Sequence, residues 1–334
     1  MSSPLFSIVI NNYNYARYLP QAVDSALAQT GDREVVIVDD GSADESAAVL
    51  DHYEALGCVV VRKPNGGQAS AFNAGFAKAR GEWIWFLDAD DVLAPGALEK
   101  VRAVLRPGLA KVHFPLAVFR EDAGPTGELI EGGGLSAGDV TREIAATGHH
   151  SWPPTSGNVF SRNCLAAILP MHAEAYRISA DLYLNSHAPF FGEIAAIDEP
   201  LARYRLHGAN LYAGDKTSPK ARVAQSVLAV QAAEILERRL AERRVPAEPG
   251  VFYRRPLAMA RLLVTRFGPA SAGKADRLTI LRRFATSPEY RAASFPRRLL
   301  WLSLLAIYAF APASVVWKAA AAREDFAASR KASA

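Results

Sequence analysis

Gly81-Glu82-Trp83-Ile84-Trp85-Phe86-Leu87-Asp88-Ala89-Asp90-Asp91 is the stretch on which the reading of this chain turns. Trp83 to Leu87 is a short, unbroken apolar run, the pattern of a strand buried on both faces. It runs straight into three carboxylates. Asp88 and Asp90 are alternate residues of an extended segment, so both side chains point the same way and can share one task. The residues before this stretch repeat its design. Leu5 to Asn11 reads as a strand, Arg17 to Gln29 as a helix and Val35 to Val38 as a second strand. Ser42 or Asp44 can cap a helix running to Leu56, Val59 to Val61 is a third strand, and Ala69 to Ala79 a third helix. This alternation predicts an α/β fold with a mostly parallel sheet flanked by helices.

In such a sheet ligands bind at the carboxyl ends of the strands. The first strand ends in Asn11-Asn12-Tyr13, the second in Asp39-Asp40-Gly41-Ser42 and the fourth in Asp88-Ala89-Asp90-Asp91, so all three endings are expected on one edge. Carboxylates gathered there repel one another unless a cation sits among them. Two hard oxygen donors suit Mg²⁺ or Mn²⁺, with water and phosphate filling the other positions. No Gly-x-Gly-x-x-Gly follows the first strand and no Gly-Lys-Ser/Thr loop occurs, which argues against a nicotinamide enzyme and a P-loop NTPase.

The order of the motifs resembles glycosyltransferase family 2, which has the GT-A fold. The resemblance covers residues 5–212. It rests on Phe6 to Asn14, Leu19 to Ala22, Ser25 to Thr30, Glu34 to Ser42, Asn65-Gly66-Gly67-Gln68 leading to Asn73-Ala74-Gly75, and Gly81-Glu82-Trp83-Ile84 before the acidic turn. It implies a nucleotide-sugar half over 1–105 and an acceptor half over 106–212. It also implies roles. Asn11, Tyr13 and Asp40, or its neighbour Asp39, contact the nucleobase or ribose; Asn65, Gly66 and Gly67 line the nucleotide pocket. Asp88 faces the ribose or the metal, and Asp90 is the main metal ligand. Ile178 to Leu184 resembles the segment that carries the general base, here Asp181, although Ala180 replaces the first member of the family's Glu-Asp pair. Tyr204-Arg205-Leu206-His207 resembles a later motif in which Arg205 pairs with phosphate and His207 meets the diphosphate or the metal. Phe72 stands where the family often has an arginine. Pro153 to Phe160 is expected to wall the acceptor side.

The reading is therefore an inverting, metal-dependent transfer of a sugar from a nucleotide-sugar donor to an acceptor hydroxyl. A non-catalytic sugar-nucleotide-binding scaffold of the same fold is the alternative from a different class. A nucleotidyltransferase is a third, but its glycine-rich loop after the first strand is missing.

Charge divides the chain. Residues 1–217 carry 17 Lys and Arg against 26 Asp and Glu, whereas residues 218–334 carry 21 against 8. The basic part, a helical region over 213–334, is expected to meet an anionic surface. Leu299 to Trp317 is 19 residues without a charge, flanked by Arg297-Arg298 and Lys318, and as a helix within 297–318 it would reach about 28 Å. Three readings stay open for it: a helix lying in a membrane interface, a spanning helix kinked at Pro312, and a helix packed on the protein's own core. The arginines favour anionic lipid over nucleic acid, for which no binding module accompanies the charge. The N-terminus shows no basic and apolar signal segment, and the two cysteines, Cys58 and Cys164, suit a reducing compartment. Both point to the cytoplasm, and the basic tail adds the inner face of the plasma membrane and a lipid-linked saccharide of surface polysaccharide synthesis as acceptor.

Overall fold

A computed structural model describes residues 5–121, 123–131, 134–208, 218–269 and 276–320. In chain order the elements are β1 (Phe6–Asn12), α1 (Leu19–Leu27), β2 (Arg33–Asp39), α2 (Ser46–Ala55), β3 (Val59–Arg62), α3 (Gln68–Lys78), β4 (Trp83–Asp88), β5 (Val92–Leu93), α4 (Ala97–Val104), β6 (Leu109–His113), β7 (Leu116–Arg120) and β8 (Gly124–Ile130). There follow α5 (Thr141–Thr147), β9 (Asn158–Ser161), α6 (Arg162–Ile168), α7 (Ala180–His187), β10 (Glu193–Ala196), β11 (Ala202–Leu206), α8 (Pro219–Glu242), α9 (Arg255–Phe267), α10 (Arg277–Ala285), α11 (Pro288–Ala292) and α12 (Phe295–Phe310). The chain divides into two compact units, residues 1–141 with 150–210 and residues 142–149 with 211–334. The expected boundary at 212, and the glycines of the expected link at Gly132 and Gly133, lie outside the described residues.

The first unit holds a seven-stranded sheet in the order β10-β6-β9-β4-β1-β2-β3. All neighbours are parallel except β9, which runs antiparallel to β4 and β6. Its central strands are apolar throughout because both faces are covered. Ile8, Ile10, Trp85, Leu87, Val35 and Ile37 pack into one core, and their chain neighbours Val9, Ile84, Phe86, Val36 and Val38 into the other. Register sets the functional edge: Asn11 lies opposite Asp88, and Asn12 opposite Asp39. The three strand endings therefore share one edge, as the sequence predicts.

Two expectations change. The single strand expected over Lys111 to Arg120 is broken at Pro115, and its halves enter different sheets, β6 in the large one and β7 in a second sheet ordered β5-β11-β7-β8. Proline gives the ladder no N–H, so a strand does not run through it. The helix expected over Arg17 to Gln29 shortens to Leu19–Leu27.

Close packing of α3 on β1 needs Gly75. A Cβ there would sit 2.3 Å from Val9 Cγ1. Gly75→Ala is expected to cost about 1–3 kcal/mol through overpacking, read as a lower urea midpoint with an unchanged slope.

The second unit is helical. The basic apolar segment is divided at Ala311-Pro312: α12 stops at Phe310, and residues 313–320 form a separate helical piece. No helix among the described residues is long and apolar enough to cross a membrane. The spanning reading thus has no helix to carry it there. One face of α12, with Leu305, Tyr308 and Ala309, is buried, as the core reading expects, and the other is exposed.

Candidate active site at the carboxyl edge of the sheet

The acidic turn is built by pairing on both sides of it. Its upstream strand, β4, is fixed between β1 and β9; its downstream strand, β5, pairs with β11, setting Val92 opposite Arg203. Arg205 and His207 follow two and four residues later on β11 and just past it. That is why the late Tyr-Arg-x-His segment meets Asp90 and Asp91 across more than a hundred residues.

Asp88 accepts from Asn11 Nδ2 at 2.9 Å and from Gln68 Nε2 at 3.4 Å. Burial first, and then the charge of Asp90, push its carboxyl up to about 7. Asp90 meets His207 Nε2 at 3.0 Å through Oδ2. The imidazole is stacked on Tyr18 and edge-on to Tyr15. Burial, with Asp90 and Asp88 behind it, also pushes the Tyr15 hydroxyl up, so Tyr15 stays protonated beside the carboxylates. Asp91 is enclosed. It takes the Ser156 hydroxyl at 2.6 Å and the Arg205 amide at 3.0 Å, and burial raises its carboxyl well above the ordinary range. The Arg205 side chain clasps the same turn, with Nε on the Asp90 carbonyl at 2.7 Å, a bond to Gln21, and the Phe119 and Tyr18 rings at 4.6 and 5.0 Å.

Asp181 lies in the first turn of α7 and accepts the Leu182 amide at 2.9 Å. Burial raises its carboxyl, against backbone amides that include that of Thr155 and the nearby Lys111 ammonium, which lower it. Gln68 ties Asp181 to the acidic turn. Its Oε1 accepts from Ala180 N at 2.9 Å while its Nε2 reaches Asp88 and the Thr155 hydroxyl. Ser179, at φ 63°, turns the chain into α7 at this point. A non-glycine residue held in that region is strained, and such strain gathers at functional sites. Beneath, Lys111 is fully buried and donates to Asn158 and Asn185. Asn158 in turn holds the carbonyls of Pro153, Pro154 and Thr155.

The other edge of the cleft is the turn after β2. Asp39 is used inside it, accepting from Asn12 Nδ2, from the Ser42 hydroxyl and from the Ser42 amide. Asp40 accepts from the Gly66 and Gly67 amides at 3.0 and 2.7 Å and pairs with Lys63. A side chain at Gly67, whose φ is 85°, would meet Arg177 backbone at 2.6 Å, and the Arg177 side chain bonds Asn65. Tyr13 is exposed. Asp44 accepts the Ser46 amide at the start of α2, the capping role expected of it, whereas Ser42 serves Asp39 instead.

The structure thus brings together Asn11, Gln68, Asp88, Asp90, Thr155, Asp181, Arg205 and His207. Phe72 supplies no charge to the site, as its sequence reading expects. Its side chain is fully buried and stacked on Phe86, 4.2 Å between centroids. It faces the core, and the cations beside the Asp40 turn are Lys63, paired with Asp40, and Arg177, bonded to Asn65. His150 leans on Trp152, with no metal site near it among the described residues. Sequence reasoning missed Tyr15, Tyr18, Gln21, Gln68, Ser156 and Lys111 as site-building residues. Gln21, Gln68 and Ser156 stood inside quoted motifs; the other three carry no local pattern.

Among the described residues no group of three or more His, Cys, Asp and Glu side chains is arranged to hold a metal ion. A divalent cation still fits. Mg²⁺ and Mn²⁺ take one or two carboxylates and complete their shell with water and phosphate, and the charge of Asp90 disfavours that of Asp88, which a cation would relieve.

A twisted sheet of this order, with an acidic turn at its carboxyl edge and a helix-borne carboxylate beside it, is a GT-A-type fold. Residues 7–127 match Glycosyl transferase family 2, and this part of the chain is a domain of that family. An uncharacterized glycosyltransferase of Nostoc sp. is 40% identical over 212 residues, covering 61% of this chain and 65% of the relative. A chondroitin synthase of Pasteurella multocida is 46% identical over 99 residues, covering 29% of this chain and 10% of that protein. The chain thus spans less than two-thirds of the length of either relative. Among solved structures, S. aureus TarS residues 1–349 in complex with UDP superimposes with a TM-score of 0.54 at 15% identity, over 96% of this chain and 91% of that one. The same protein with UDP-GlcNAc gives 0.51 at 16% identity, over 90% of each. At such identity the likeness is one of fold.

Proposed function

We propose that the chain is an inverting, metal-dependent glycosyltransferase that moves a sugar from a nucleotide-sugar donor to a hydroxyl of a saccharide, in particular a lipid-linked saccharide at the cytoplasmic face of the plasma membrane. The observation that carries this is the link, through Gln68 and Thr155, between the Asp88–Asp90 pair and Asp181. It sets a metal-competent pair of carboxylates next to a carboxylate suited to proton abstraction.

In this reading Asn11, Tyr13 and Asp40 hold the base and ribose of the donor, Asp39 keeps their turn in shape, and Asn65, Gly66 and Gly67 let the nucleotide approach the backbone. Asp88 and Asp90 hold Mg²⁺ or Mn²⁺. Once bound, the cation neutralises the diphosphate and eases its departure as a Lewis acid. His207 orients Asp90 through their hydrogen bond or joins the ligand set itself. Arg205 acts through the turn it clasps. Asp181 takes the proton from the acceptor hydroxyl as that oxygen forms its bond to the anomeric carbon. The bond from this carbon to the phosphate oxygen breaks, and the nucleoside diphosphate leaves with the electron pair. Attack from the face opposite the leaving group inverts the anomeric centre. The family domain and the chondroitin synthase likeness support a saccharide acceptor, and the basic second unit supports a membrane-borne one.

The test is turnover. A panel of UDP-, GDP- and dTDP-sugars with Mn²⁺ and a lipid-linked saccharide is expected to release one nucleoside diphosphate, to stop with EDTA, and to yield a product of inverted anomeric configuration by NMR. Retained configuration would remove Asp181 from its role. Transfer to soluble acceptors alone would remove the lipid-linked acceptor.

A further inference from the structure

We infer that the exposed face of α12 is an interfacial seat for an anionic lipid bilayer, with the helix lying along the surface rather than crossing it. The inference rests on the membrane part of the reading above and gives it a surface. Through α12 the residues at one helical face are Phe295, Leu299, Ser303, Ala306 and Phe310, spaced by three or four residues, so they follow one stripe. Every one of them is exposed. Phe295 is 78% exposed, Leu299 58% and Phe310 57%, and Leu300, on the margin of the stripe, 65%. Charged residues are absent from this face. The opposite face, with Leu305, Tyr308 and Ala309, packs inside the unit, and the Arg266 and Arg277 guanidinium groups bond the carbonyls of Tyr308, Ala309 and Ala311 at its C-terminal end. The helix is thus fixed on one side and bare on the other.

Charge selects the occupant. Residues 276–320 hold seven Arg and Lys against Asp276 and Glu289 alone. Arg297 and Lys318 have no carboxylate partner among the described residues and Arg282 acts on Asp276 without a close ion pair, whereas Arg283 and Arg291 reach Glu237 and Glu248. A second copy would set like charge against like charge around the apolar stripe. An anionic bilayer offers what both features ask for, headgroup phosphates for the arginines and acyl chains for the phenylalanines and leucines. Trp301 and Trp317, the first with Arg255 over its ring at 5.0 Å, add side chains of the kind that favour the headgroup level. At 16 residues, ending at Ala311-Pro312, the helix has the length of an element that lies in an interface.

The test is flotation of the full chain with vesicles of phosphatidylglycerol and phosphatidylcholine, set beside vesicles of phosphatidylcholine alone. Nucleotide binding is measured on the same samples. Binding to the anionic vesicles is expected to be about tenfold or more above the neutral ones and to weaken in 0.5 M salt, roughly in proportion to the basic residues engaged. Leu299→Ser with Leu300→Ser, at exposed positions, is expected to lower it by about tenfold with an unchanged circular dichroism spectrum. Arg297→Gln with Arg282→Gln is expected to remove most of the preference for anionic lipid. Equal binding to both vesicle types, or no loss in the serine variant, overturns the inference. So does a dimer in solution that the serine variant dissolves, which assigns the stripe to a second copy. Vesicle binding lost while nucleotide binding persists would leave the glycosyltransferase reading standing.

Discussion

Asp181→Asn is expected to lower turnover by about 10²–10⁴-fold while nucleotide binding stays within a few-fold of the parent, because general acid–base catalysis contributes on that scale. The amide keeps the size of the carboxylate and one acceptor for the Leu182 amide, but it cannot take a proton. The same change is expected to make the protein more stable at neutral pH. Burial raises the Asp181 carboxyl in the folded state above its unfolded value. Below the unfolded pKa, about 4, both states carry the proton and no cost arises. As pH rises past it, the unfolded chain ionises first and stability is lost, until above the folded pKa the whole cost of a buried charge is present. The thermal midpoint of Asp181→Asn should therefore exceed that of the parent at pH 7, with the gap shrinking toward pH 4. In the parent enzyme the base must be ionised to act, so kcat/KM should fall on the acid side at a pH above the ordinary carboxylate range. A residue that merely capped α7 could share the rise in stability, since that follows from burial alone, but would not give the loss of turnover at constant binding.

Asp90→Ala is the second large effect. It removes one of the two carboxylates that face each other at the turn, and with it the charge that would hold a cation against the donor diphosphate. Electrostatic stabilisation of a leaving diphosphate by a metal is worth several kcal/mol, and each 1.36 kcal/mol is a factor of about ten, so a loss of at least about 10²-fold in turnover is expected. His207→Asn is expected to do less, lowering metal affinity by about 10–100-fold, as removal of a group that orients a ligand does. Equal effects from the two variants would mean that His207 is itself a ligand. A chain that acts only as a scaffold would keep its partner binding in both.

How far the site could be read in advance depended on whether its logic was local. The strand endings Asn11, Asp40 and Asp88 were legible because a parallel sheet sends every carboxyl end to one edge, so apolar runs that stop at polar residues already locate the cleft. Asp181 was legible only by resemblance, since nothing in Ile178 to Leu184 distinguishes a base from a helix-terminal carboxylate. Gln68 is the linking residue, and its role was not legible: two of its partners, Asp88 and Ala180, are brought together by α3 and α7 packing on the same face of the sheet. The setting of Phe72 was not legible for a related reason. The resemblance fixed its position in α3, but only the stacking on Phe86 tells that this face of the helix looks into the core. Pro115 was in plain view between two apolar runs, yet that β6 and β7 part into different sheets is a matter of long-range pairing. In the second unit composition predicted helix and charge correctly. The bare stripe of α12 emerges only once its other face is seen to be covered.

Metal-dependent donor binding is the claim on which the rest stands, and calorimetric titration of the purified chain with UDP, GDP and dTDP tests it most directly, each with Mn²⁺ and with EDTA, repeated on Asp90→Ala. One nucleoside diphosphate is expected to bind in the presence of Mn²⁺, to lose most of its affinity in EDTA, and to show the same loss in Asp90→Ala with metal present. A folded sample that binds none of the three, or binds one equally well in EDTA and in Asp90→Ala, would contradict the account of the acidic turn.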